Sequence, residues 1–140
     1  MKYKKEIKVI VIIFCLITVI DIFTKRNTEF VMENMINELN KLYEQISREE
    51  KYNINLIYDI EKSWKEKMKV MSLYLEHNEL EKVNNSLAKL KSNVESKEKY
   101  MAVENIEETK FLIEHIKNKN LLNIENIFWW KKMKWKSKTR

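Results

Sequence analysis

No glycine and no proline occur in the 140 residues, so every reversal of this chain must be made without the two residues that usually make one. Average usage would supply roughly ten glycines and seven prolines. The hairpins and tight loops of sandwiches, barrels and doubly wound sheets call for positive φ. Helices joined through Asn and Ser caps do not. An all-helical chain, about one domain long, is the fold class this predicts. The same absence removes the glycine-dependent phosphate loops, because backbone cannot approach phosphate closely past a Cβ.

Composition limits what single residues can say. Lys (24), Ile (17) and Asn (15) dominate in the manner of an AT-rich genome, which strips an individual lysine or asparagine of functional weight. Cys15 is the lone cysteine, so no internal disulfide forms. It lies in an apolar run and reads as a small hydrophobe rather than a nucleophile or metal ligand.

The net charge of +6 suggests nucleic acid until its placement is examined. Residues 24–130 carry 17 basic and 19 acidic side chains, so the body is slightly acidic. The first eight residues hold four lysines, and the last ten hold Lys131, Lys132, Lys134, Lys136, Lys138 and Arg140 without an acid. Only an end of the chain could attract a polyanion, and nucleic acid is not expected as a partner.

Residues 7–23 are apolar except for Lys8, Thr18 and Asp21. As a helix they span about 25 Å, enough for a bilayer if Lys8 snorkels to one interface and Asp21 lies near the other. A cleaved signal peptide would need small residues before the scissile bond, and none stands there. An uncleaved signal anchor in the cell membrane is expected. Lys2, Lys4 and Lys5 on one flank, against Lys25 and Arg26 on the other, keep the amino terminus in the cytoplasm and put the body outside.

Beyond the anchor the apolar residues recur at helical spacing. Met32, Met35, Leu39, Leu42 and Ile46 form one stripe, and Ile57, Ile60, Trp64, Met68, Met71 and Leu75 a second. Leu80, Val83, Leu87, Leu90 and Val94 form a third; Ala102, Ile106, Thr109, Ile113 and Ile116 form a fourth. Breaks are predicted near 47–53, by a capping box of Ser47 and Glu50 or a cap at Asn53, then at Asn78 with Glu81, and at Ser96. A turn is also expected at Asn118-Lys119-Asn120, before a last helix that turns Ile124, Ile127 and Phe128 inward. The organisation predicted is a basic cytoplasmic tail (1–6), a transmembrane helix (7–23), an antiparallel bundle of three to four amphipathic helices (24–128) and a basic-aromatic tail (129–140). The same spacing would serve a coiled-coil homodimer through residues 80–94.

Two pairs bear on chemistry: Glu76 with His77, and Glu114 with His115. Both fall at predicted carboxyl ends of helices and at one end of an up-down-up arrangement, so they are candidate zinc ligands. The helix dipole alone favours histidine there, and adjacent helical residues point about 100° apart. No metal, cofactor or catalytic constellation is therefore expected, and Trp64 reads as a core anchor. In the tail, Trp129, Trp130, Lys131, Lys132, Lys134, Trp135 and Lys136 interleave indoles with ammonium groups, the pattern of a contact with membrane lipid at the headgroup layer. An unstructured solubilising tail is the alternative.

Trp64 in its helix, Leu75-Glu76-His77-Asn78-Glu79-Leu80 opening the third stripe, and Glu114-His115-Ile116 followed by Asn126-Ile127-Phe128 resemble the bacterial family called domain of unknown function 4363. The resemblance implies one amino-terminal span and a helical extracytoplasmic body, and it brings no activity. It raises Trp64, His77, Glu79 and Asn126 as positions of interest. The resulting expectation is a non-enzymatic, membrane-anchored interaction module whose partner is another membrane protein. A division-type bitopic coiled-coil scaffold is the alternative, with a metal-binding sensor behind it.

Overall fold

The computed structural model describes the backbone of residues 2–49 and 51–136 and the side chains of 3–48 and 51–120. Four helices and no strand are present among the described residues: α1 (Lys2–Glu49), α2 (Ile54–Met71), α3 (His77–Glu95) and α4 (Lys99–Lys136).

The apolar amino-terminal segment and the first amphipathic stripe belong to one uninterrupted helix. With 48 residues, α1 is about 72 Å long. Its side chains from 3 to 23 are exposed, whereas Thr28, Val31, Met32, Met35, Leu39, Leu42 and Ile46 are buried. One helix thus carries an apolar rod at its start and a core-facing stripe at its end.

Among the described residues each helix packs against two others: α1 on α2 and α4, and α3 on α2 and α4, while the diagonal pairs do not meet. Cross-helix pairs run in opposite sequence directions. Tyr58 Oη donates to Glu95 Oε1 at 2.7 Å and Lys91 Nζ to Glu61 Oε2 at 2.8 Å, so α2 and α3 are antiparallel. Lys117 Nζ donates to Glu33 Oε1 at 2.8 Å and the Lys110 ammonium lies over an α1 ring, 5.8 Å from the Tyr43 centroid, so α1 and α4 are antiparallel as well.

The four stripes meet in a single core. Every aliphatic member of the third and fourth stripes is buried, with Trp64, Ile57, Ile60 and Met71 from the second; Met68 and Leu75 are half-buried at its edge. Two buried hydroxyls pair across the core. Ser86 and Thr109 place their hydroxyl oxygens 2.8 Å apart between α3 and α4, and Thr109 Oγ1 lies 2.6 Å from the Asn105 carbonyl. Glu61, on the margin, accepts from Lys65 and Lys91, both at 2.8 Å.

The breaks depart from expectation in instructive ways. Ser47 stays inside α1, donating to the Tyr43 carbonyl at 2.6 Å, and Asn53 caps α2 by accepting from Leu56 N at 3.1 Å. Asn78 does not cap α3. The helix starts two residues earlier, with Glu76 at the cap position, because the Glu76 carbonyl already accepts from the amides of Glu79 and Leu80, and no side chain caps it. Ser96 ends α3 instead of starting α4. Beyond it Lys97 takes φ 57°, with Lys97 N bonded to the Val94 carbonyl and Glu98 N to that of Asn93. This is a Schellman closure, and without glycine in the chain a lysine occupies its left-handed position. The turn expected at 118–120 is absent, since α4 runs on to Lys136. Asparagine inside a helix costs under about 0.7 kcal/mol, too little to end one where no proline or glycine follows.

Candidate functional site

The most heavily featured end of the molecule is where the α2–α3 connection, residues 72–76, meets α1 and α4. Tyr74 Oη accepts from Asn27 Nδ2 at 2.9 Å and lies 3.3 Å from Thr28 Oγ1, which itself donates to the Thr24 carbonyl at 2.9 Å. The tyrosine thereby ties the connection to α1 a few residues past its apolar segment. On the other side Glu76 Oε1 pairs with Lys119 Nζ at 2.9 Å.

Between these contacts lies a cleft of about 120 Å³, lined by Tyr74, Leu75, Glu76, Glu79, Ile116, Lys119 and Asn120. Lys82, 3.2 Å away, holds the Glu79 carboxyl below its usual range against the opposing effect of burial, with smaller pulls from Lys119 and His115. Glu76 in turn holds the Lys119 ammonium above its usual range. Its carboxylates are engaged by lysines, and the cleft is well below the size of typical ligand pockets. Such a place takes waters or a small polar group.

A larger cleft, about 330 Å³, opens between α1 and α2. Val31, Met35 and Ile60 form its floor, Phe30 stands 65% exposed at its rim, and Glu38, Asp59 and Lys67 supply charge around it. This volume is within the range of apolar sites that accept a ligand or a partner's side chains. Sequence reasoning missed it. The available signal was Phe30, an aromatic residue off the first stripe beside the polar Glu29.

The two Glu-His pairs are not at helix carboxyl ends, which corrects their expected placement. Glu76 and His77 open α3, and Glu114 and His115 lie within α4. His77 Nε2 is 3.0 Å from Glu81 Oε1, one turn along its own helix, and Glu76 is turned to Lys119. Glu114 and His115 are exposed. The antiparallel course does bring the α3 start and the later part of α4 to one end, yet among the described residues no group of three or more His, Cys, Asp or Glu comes together. The early start of α3 gives the reason, since it turns Glu76 and His77 to separate partners.

Trp64 is fully buried in the middle of α2, and its Nε1 has no hydrogen-bond partner among the described residues. Glu79 lines the small cleft. The side chains of Asn126, Trp129, Trp130, Lys131, Lys132, Lys134, Trp135 and Lys136, and those of Ile124, Ile127 and Phe128, lie outside the described residues.

A family model described as a domain of unknown function, DUF4363, matches residues 22–127. The chain belongs to that family. The DUF4363 match takes in Trp64, His77, Glu79, Asn126 and both clefts, while most of the apolar segment precedes it and the basic-aromatic tail follows it. No curated protein and no solved structure matches the chain.

Proposed function

We propose that this DUF4363 protein is a single-pass membrane protein whose residues 7–23 cross the cell membrane, with the amino terminus in the cytoplasm and an up-and-down helical bundle outside. Its role is to bind another membrane protein, without catalysis of its own. The observation that carries the reading is the continuity of α1. Among the described residues one helix is long and apolar enough to cross a bilayer, and its exposed apolar half runs without a break into the half that the other helices cover. A helix so built couples whatever binds the body directly to the span.

The open cleft between α1 and α2 supports a binding role, because its apolar floor and the exposed Phe30 lie on the helix that carries the anchor. The chain breaks after Glu49, Met71 and Glu95, which favours a folded-back body over the straight rod of a division-type scaffold. Helical register supports lipid contact by the tail. From the Lys117–Glu33 pair, equal rise along antiparallel helices brings residue 127 of α4 level with residue 23 of α1. The indole pair that follows then falls at the outer edge of the span, where tryptophan is favoured.

Affinity capture of the full chain from detergent-solubilised native membranes tests the reading, with Phe30→Asp as the comparison. The expected result is a membrane protein enriched by the wild-type chain and lost with the variant. Equal recovery from both, or no enrichment over an untagged control, contradicts it.

A further inference from the structure

The connections between helices differ in chemistry according to the end at which they lie. At the far end α3 passes to α4 through Ser96-Lys97-Glu98, and α1 to α2 through a segment containing Lys51, Tyr52 and Asn53. At the end nearest the span, the α2–α3 connection reads Ser72-Leu73-Tyr74-Leu75. Tyr74 and Leu75 turn inward, but Leu73 is 83% exposed and Val70, one turn before it, is 51% exposed. Two aliphatic side chains pointing into water beside a tight connection gain nothing from the fold itself.

The height of this connection is set by Tyr74. Its hydroxyl is held by Asn27 and Thr28, and these residues stand only four and five positions past Phe23, about 6 to 7.5 Å of helical rise. The headgroup layer on one side of a bilayer is about 5–7 Å thick. The connection is therefore at headgroup height when residues 7–23 span the hydrocarbon. Lys69 and Arg26, both exposed at this end, suit an anionic surface.

We propose that the α2–α3 connection is a second membrane contact, with Leu73 and Val70 entering the outer leaflet and fixing the tilt and rotation of the body against the bilayer. The occupant of this patch is lipid. A single helix leaves the body free to swing about its span, whereas interfacial side chains away from the helix axis set its orientation. The inference rests on the proposed span, and the test separates the two.

The full chain carrying Cys15→Ser is labelled with one environment-sensitive fluorophore at Leu73→Cys, at Met101→Cys or at Ile17→Cys, then reconstituted into phosphatidylethanolamine–phosphatidylglycerol vesicles. Met101 is exposed near the far end, and Leu73 is exposed enough for its replacement to leave packing intact. Lipid bearing a spin label just below the headgroup is expected to quench the label at 73 several-fold more than the label at 101. A label at 73 as aqueous as that at 101, with the label at 17 buried in lipid, overturns this inference and leaves the span standing. A label at 17 out of reach of any lipid quencher overturns the span itself and the inference with it.

Discussion

Tyr74 Oη and Asn27 Nδ2 are 2.9 Å apart, joining the α2–α3 connection to α1 four residues past Phe23, so the body is fastened where its longest helix leaves its apolar segment. A partly buried neutral hydrogen bond of this kind is worth about 1 kcal/mol. Tyr74→Phe keeps the ring and removes the hydroxyl. The expected loss is about 0.5–1.5 kcal/mol in denaturant titration of the full chain in detergent micelles, with protease sensitivity gained first in residues 72–76.

The Ser86–Thr109 pair, 2.8 Å between oxygens and buried between α3 and α4, makes a different prediction. Thr109→Val alone removes the nearest partner of a buried hydroxyl and is expected to cost about 1–3 kcal/mol. The double variant with Ser86→Ala takes away both polar groups and should cost less than the sum of the single changes, because no buried hydroxyl is left without its partner. A double-mutant cycle on unfolding free energies measures the difference.

Glu61 contributes to the acid limb of stability. Its side chain is 10% exposed, and Lys65 and Lys91 hold its carboxyl below the usual range, against the opposing effect of burial. Since its folded value lies below the unfolded one, its contribution is present above about pH 4.3 and is lost as pH falls through the folded value. Glu61→Gln is expected to lower stability by about 1–2 kcal/mol at neutral pH. It should also flatten the decline below pH 4, as read from unfolding midpoints across pH.

Lys97 is the non-glycine residue at positive φ among the described residues. The left-handed conformation costs such a residue about 1–2 kcal/mol, and the greater freedom of glycine when unfolded offsets about 0.5–1 kcal/mol of what its replacement gains. Lys97→Gly is thus expected to raise stability by about 0.5–1 kcal/mol, and Lys97→Ala to leave it unchanged.

Most of the core was legible because a helix buries residues at a fixed period, and nothing here disturbs that period. Met32 to Ile46, Leu80 to Val94 and Ala102 to Ile116 all turn inward as their spacing requires. Helix ends were harder to read. Ser96 can serve either end of a helix, and only the amides of Lys97 and Glu98 decide that it closes α3. Asn118 and Asn120 resemble a turn in a chain without glycine, yet α4 passes through them. The larger cleft and the exposed α2–α3 connection could not be found by periodicity, since Phe30 and Leu73 matter through the faces their neighbours leave open. The cross-helix ties Tyr74–Asn27 and Glu76–Lys119 join positions 47 and 43 residues apart, separations that a single sequence does not encode in any repeat.

The central claim is that α1 crosses the membrane as one helix and carries the folded body on the outer side. The most direct measurement is the activity, in living cells, of a reporter that works only outside the cytoplasmic membrane, fused after Arg140. An active reporter, recovered with the membrane fraction after alkaline carbonate washing, is the result predicted. A silent reporter on a stable fusion, or a fusion released by the wash, contradicts the account.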